Sequence, residues 1–211
     1  MGGRGDDSGD RIEVGRSSVQ RYGGQAQAAF DAIHAGLQGL LTEVMNTPII
    51  GRNGQEFRRA VLKQATEFSS AMTDDVRSFI AAVQASTTAV SRSLGGDPIH
   101  LELSFRNVAS PTAGAGASGN QDDGDVSGLD VPGAKAVVEP VRTHTKNIEQ
   151  QLAAHAHAFD QMHWTGRSHG AAKQALTKFT RAATDLSTRT RNDITAYLTE
   201  QIERSQHSDA V

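Results

Sequence analysis

Apolar side chains recur at steps of three and four through four long stretches of this sequence, the period that lays them along one face of a helix. The first stretch runs from Ser17 or Ser18 to Asn46, with Val19, Tyr22, Ala26, Phe30, Ile33, Leu37, Leu40, Leu41 and Val44 on its stripe. Either serine can act as the N-cap. The Gly23-Gly24 pair would delay the start or kink the first turn, because glycine weakens a helix interior. Gly36 and Gly39 would let a neighbouring helix come close. Thr47-Pro48 ends the element, since the residue before proline avoids the α region. Ile49-Ile50-Gly51-Arg52-Asn53-Gly54 then reads as a bend. Asn53 and Glu56 resemble a capping box for a second helix. That helix runs to about Leu94 on Phe57, Val61, Ala65, Phe68, Met72, Val76, Phe79, Val83 and Val90, and Gly95-Gly96-Asp97-Pro98 stops it.

The period next falls to two. Ile99-His100-Leu101-Glu102-Leu103-Ser104-Phe105 alternates as a half-buried strand does. With no partner strand in view, it is predicted to lie extended on the helices. Residues 106 to about 133 are rich in Gly, Ala, Ser and Asp and read as a flexible linker. Asp122-Asp123-Gly124-Asp125 lacks the alternating ligands and closing Glu of a calcium loop. A third helix is predicted from near Pro140, a good first-turn residue, to about His163. A fourth runs from near Ser168 to about Arg204, and Ser205 to Val211 should fray.

Setting Gly51 against Gly166 aligns Ile49 with Trp164, Phe57 with Ala172 and Val61 with Leu176, so the two halves read as one pattern repeated. A lone hairpin leaves half of each apolar stripe wet, whereas two packed face to face close one core. The predicted fold is therefore all-α: two antiparallel helical hairpins packed as a four-helix bundle, joined by a flexible Gly/Ala/Asp-rich linker. Residues 1–16 would be a disordered tail, 17–96 the first hairpin, 97–133 the extended segment and linker, and 134–206 the second hairpin. The chain would be a monomeric pseudo-dimer about 45 Å long, at 1.5 Å per residue for helices of about 30 residues. A homodimer would form if either stripe stays exposed.

Composition narrows the chemistry. In 211 residues, a net charge of -3 leaves no basic surface for nucleic acid. No apolar run reaches the roughly 18 residues of a membrane span. Met1 to Asp10 has no apolar core of a Sec signal peptide. With no cysteine there is no disulfide. Arg4-Gly5-Asp6 spells an adhesion tripeptide, read here as part of a solvated tail. Templates for a zinc protease, a phosphate-binding loop and a hydrolase elbow are all missing, so neither a catalytic residue nor a cofactor is predicted. His144, His155, His157, His163 and His169 cluster in the second half. Neighbours two apart on a helix, such as His155 and His157, point about 200° apart and cannot chelate together. No cysteine or paired carboxylate completes a set, and no metal site is predicted. His155, on the apolar face, reads as a core histidine, with a pH-sensitive bundle interface as the alternative.

Met162-His163-Trp164-Thr165-Gly166-Arg167 holds the only tryptophan, between two helices. A Trp-x-Gly at the bend of a helical hairpin resembles the WXG-motif superfamily. These are the early secreted antigenic target-like substrates of type VII (ESX-type) secretion in Actinobacteria and Firmicutes. The resemblance implies a fused tandem form whose first copy has Ile49-Ile50-Gly51 where Trp-x-Gly would stand. It implies a non-catalytic protein, secreted by a type VII system or cytoplasmic before export. Trp164, Gly166, Ile49 and Gly51 would be the motif residues that bind another protein: a WXG-like partner, an effector or the secretion ATPase. In that family the bend joins a partner's C-terminal Tyr-x-x-x-Asp/Glu to form an export signal. Here Tyr197 is followed at four by Gln201, with Glu200 at three, so the tail signal departs from the family's form. That departure leaves open a cytosolic adaptor or chaperone-like scaffold for a secreted effector. It also leaves a helical bundle with no tie to secretion.

Overall fold

A computed structural model of the chain describes residues 13–109 and 128–208, the side chains of Asn53, Arg167 and Ser168 excepted. The Arg4-Gly5-Asp6 tripeptide, the Gly114–Gly119 run and the Asp122–Asp125 cluster lie outside the described residues. The rest is α1 (Arg16–Met45), β1 (Ile49–Ile50), α2 (Arg52–Ser93), β2 (Gly128–Leu129), α3 (Val131–Asp160) and α4 (Arg167–Ser208). The fold is all-α, with two helical hairpins packed as a four-helix bundle. Every boundary in the first hairpin recurs in the second at the offset of Gly51 to Gly166. Arg16 falls on Val131, Met45 on Asp160, Arg52 on Arg167 and Ser93 on Ser208. The short helices have 30 residues and the long ones 42, or about 45 and 63 Å of helix.

The central contact is α1 against α3, and the two run antiparallel. Tyr22 meets His155 and Phe159 near one end, while Gly36 meets Ile148 and Gly39 meets His144 further along. A Cβ on Gly36 would stand 3.0 Å from Ile148 Cγ1, and one on Gly39 would strike the His144 ring. Both glycines thus set the close approach. The core divides into two apolar clusters, one around Tyr22, Phe159 and Trp164 and one around Leu40, Ile49 and Leu198. Buried Thr145, Ser187 and Thr190 lie between them.

Several expected boundaries move. α1 begins at Arg16 behind Gly15, without a serine cap. The Ser18 hydroxyl instead accepts the His163 N–H at 2.6 Å. Gly23 neither delays nor stops the helix; it is buried, and Leu101 occupies the space a side chain would need. α2 starts one residue before Asn53, behind Gly51 at φ 86°, and Glu56 pairs with Arg52 at 2.9 Å rather than closing a capping box. α3 begins well before Pro140, at Val131 with Pro132 in its first turn, and Pro140 lies inside it. Ala134, Val137 and Val141 are buried on both sides of that proline. Packing of this face outweighs the one hydrogen bond the proline removes. α4 continues to Ser208. The stop after α2 is as expected: Gly95, at φ 77°, donates to the Arg92 carbonyl and Gly96 to that of Ser91, the two bonds of a left-handed glycine cap.

Residues 97–109 form an extended strap in the groove between α1 and α2. Ile99, Leu101 and Phe105 are buried and their neighbours face outward. This is the alternation read in the sequence, but among the described residues no strand pairs with it. Its backbone bonds to side chains of the flanking helices instead.

Candidate protein-binding site at the hairpin bends

The two bends are built alike. In the second, Trp164 pairs with Val14 in an antiparallel bridge. The Gly15 N–H donates to the His163 carbonyl and the Thr165 N–H to that of Glu13, each at 2.9 Å. In the first, Ile49 pairs with Leu129 and Ile50 with Gly128, and the Asp130 N–H donates to the Pro48 carbonyl at 3.1 Å. Under the common offset these are the same pairs. Each bend is therefore clamped by the lead-in to the first helix of the other hairpin. Both bends turn on a glycine of positive φ, Gly51 at 86° and Gly166 at 104°, where a Cβ would be strained. Two expected boundaries change with this. Glu13 to Gly15, assigned to the tail, hold the Trp164 bend, and Gly128 to Val131, assigned to the linker, hold the Ile49 bend. Pairings of one or two residues are too short to leave a period in the sequence.

Trp164 is buried as the end plug of its cluster. Its ring meets Phe159 edge-on at 6.1 Å and His169 at 5.5 Å, and His169 stacks flat on Phe159. Trp164 Nε1 and His169 Nε2 have no hydrogen-bond partner among the described residues. Burial lowers the His169 pKa, with a further push from Lys173 and an opposing pull from Asp160. On the surface, His163 Nε2 lies 3.1 Å from Glu13 Oε2. The Trp164 end thus combines a sealed aromatic plug with a polar rim.

At the other end Ile49 is equally buried. The Arg58 guanidinium donates to the carbonyls of Thr47 and Ile49 at 3.0 and 3.2 Å, satisfying the bend where Trp164 packs aromatics. The two bends are separated by the length of α3, about 45 Å.

Tyr197 is not at a free tail. It lies within α4, stacked flat on Phe57 with ring centroids 4.3 Å apart. The pair floors an open cleft of about 500 Å³ between α2 and α4, rimmed by Glu56, Asp193, Glu200 and Arg204. Glu200 bonds to Arg204. Burial raises the Tyr197 pKa, with Glu56 adding to it. Tyr197 and Glu200 therefore flank the Ile49 end. The positions that correspond to them beside Trp164 are Ala82 and Ala85, so the tryptophan and the tyrosine stand at opposite ends of the bundle.

His155 is fully buried, and His157 on the other face is exposed. His155 Nε2 and the Tyr22 hydroxyl are 2.7 Å apart. Phe30, Phe79 and Phe179 surround the imidazole, and its Nδ1 has no partner among the described residues. This desolvation lowers the His155 pKa to about 4 and raises that of Tyr22. Under the offset the pair corresponds to Leu40 and Val137, both apolar. Among the described residues no three His, Asp or Glu side chains converge on a common point, and no helix is long and apolar enough to cross a membrane. The chain matches no protein-family model, no curated protein and no solved structure.

Proposed function

We propose that this chain is a tandem WXG-like protein of type VII (ESX-type) secretion, a secreted substrate or co-secreted partner that works by helix-to-helix binding rather than catalysis. The observation that carries the reading is the Trp164-Thr165-Gly166 bend. It joins two antiparallel helices, turns on a positive-φ glycine and sits at the end of a pseudo-symmetric pair of hairpins. Its rim offers a partner exposed polar groups around a preformed end. The second reading, a cytosolic adaptor for a secreted effector, is favoured by the placement of Tyr197. That residue stands at the Ile49 end, so the bend-plus-tyrosine signal of the family is not assembled at either end.

Fractionation of an actinobacterial host, with and without its type VII ATPase, separates these readings. Tagged protein that reaches the medium only with the ATPase supports the substrate reading. Retention in cells under both conditions refutes it. The adaptor reading then requires a stoichiometric effector in a pull-down.

A further inference from the structure

The groove between α1 and α2 is built to hold extended polypeptide. The Gln27 side chain accepts the Ser104 N–H at 2.9 Å and donates to the Ser104 carbonyl at 3.2 Å. Gln38 does the same to Ala109, at 3.2 and 3.1 Å. Ser69 Oγ accepts the Val108 N–H, and Thr88 donates to the Ile99 carbonyl. All of these bonds read backbone, which every peptide has. Selectivity comes from the apolar anchors. Leu101 enters a notch that exists because position 23 is glycine: a Cβ there would lie 2.9 Å from Leu101 Cδ1. Phe105 packs edge-on against Phe30 and His34.

In the second hairpin none of the described residues occupies the corresponding groove. The counterparts of Gly23, Gln27 and Gln38 are Val138, Arg142 and Ala153, which offer neither notch nor amide. The counterparts of His34, Thr73 and Val76 are Glu149, Thr188 and Arg191. There Glu149 is bonded directly by the Thr188 hydroxyl at 3.1 Å and by Arg191 at 3.4 Å, drawing α3 and α4 together. Among the described residues the second hairpin therefore closes without a strap, while the first carries a notch filled by Leu101 and two amides that bond the strap's backbone, Gln27 also bonding Asp31 on its own helix.

We infer that the α1–α2 groove is a peptide-binding site, in which residues 97–109 act as an internal pseudo-ligand that an extended segment of another protein replaces. The incoming segment carries apolar side chains at the spacing of Ile99, Leu101 and Phe105. Its backbone takes the bonds of Gln27 and Gln38, as in other modes where main-chain bonding supplies affinity and alternate side chains supply specificity. The strap leaves by rotation about Gly95 and Gly96, at the end of α2. The inference rests on the groove alone and stands whether or not the chain serves type VII secretion.

The test uses the full chain carrying Leu101→Asp and Phe105→Asp, which vacates the groove, and a fluorescent peptide of residues 97–109. Anisotropy should show saturable binding to this chain. Binding to the wild-type chain should be at least about tenfold weaker, because the tethered strap competes at high effective concentration. Adding Gln27→Ala and Gln38→Ala to the vacated chain should weaken binding by about tenfold or more, as two paired backbone contacts are lost. A peptide with the same two aspartates should not bind. The inference is overturned if the vacated chain keeps its helical circular dichroism yet takes no peptide, or takes both peptides alike. Strap exchange into a wild-type dimer, seen by light scattering, would make the occupant a second copy and also overturn it. If the aspartates unfold the chain, Gln27→Ala with Gln38→Ala provides the second test. The amides of residues 99–109 must then exchange at least about tenfold faster than in wild type, while those of α1 and α2 do not. Unchanged exchange overturns the inference.

Discussion

The Tyr22–His155 pair is the point at which the core is most exposed to a single-atom test. Tyr22→Phe removes the hydroxyl 2.7 Å from Nε2 and leaves an imidazole with neither nitrogen partnered in a site walled by three phenyl rings. The cost of stranding a buried polar group is about 1–3 kcal/mol. His155→Leu strands the tyrosine hydroxyl instead and should cost a similar amount. Replacing both, Tyr22→Phe with His155→Leu, removes donor and acceptor together. It should return stability to within about 1 kcal/mol of wild type, since swapping both partners for apolar groups is nearly neutral. The other end of the bundle already has that arrangement in Leu40 and Val137.

The same pair predicts a pH dependence of known sign. His155 titrates at about 4 in the fold and at 6.5 when exposed. The unfolded chain therefore takes up the proton first as pH falls. The contribution is fully present above pH 6.5 and is lost as pH drops toward 4. Across that interval, at about 1.4 kcal/mol for each pH unit, the loss comes to about 3 kcal/mol. Urea denaturation followed by circular dichroism at pH 7.5, 5.5 and 4.5 measures both effects. Carboxylates titrate in the same range, so the quantity to compare is the wild type minus the double variant. A double variant that loses as much stability between pH 7.5 and 4.5 as wild type would refute this reasoning. So would a double variant whose destabilisation equals the sum of the two singles.

Three further outcomes follow from the bends and the central contact. Trp164→Ala empties the plug against Phe159 and should cost about 3–5 kcal/mol in the same assay; a cost under 1 would mean the indole is not packed as described. Gly166→Ala and Gly51→Ala each force a Cβ into positive φ and should cost about 1–3 kcal/mol, where a helix-favouring effect alone would be stabilising. Gly39→Ala drives a methyl into the His144 ring and should separate α1 from α3. Adding His144→Ala should recover most of that loss, and an absence of coupling between the two sites would place the ring elsewhere.

The helices are legible in the sequence because each carries a three-and-four stripe, and α2 is legible to its end because the Gly95-Gly96 cap is a local stop. The repeat is legible for the same reason: the Gly51-to-Gly166 offset read from a few pattern matches is the one that relates every helix boundary. Legibility fails where the deciding partner is distant. Proline at 140 reads as a first-turn signal, yet buried Ala134 and Val137 carry the helix through it. Gln27 and Gln38 lie off the apolar stripe of α1, and nothing local says that their amides bind the backbone of a strap about 70 residues away, contacts that tertiary packing alone supplies. Glu13 and Gly128 pair with the bends through one or two residues, below the length at which alternation can be seen. Tyr197 enters as a possible tail signal through the family resemblance alone, and its place beside Phe57 depends on how α4 packs on α2.

Carrying both hairpins on one chain has a structural consequence that two identical hairpins could not produce. In a symmetric pair every side chain occurs twice, so both ends and both grooves must be the same. Here the positions that line the ends and the grooves have diverged, although both bends keep their glycine. One bend is sealed by Trp164 and the other by Ile49 with the Arg58 clamp. One end of the α1–α3 contact holds Tyr22 and His155, the other Val137 and Leu40. One outer groove holds the strap, and the other is drawn shut by Glu149 and Arg191. The cleft at Tyr197 exists at one end, with alanines in its place at the other. A partner that docks on an end or a groove therefore meets a unique surface and can bind once, in one orientation. This follows from the fused arrangement itself and holds whichever partner the chain serves.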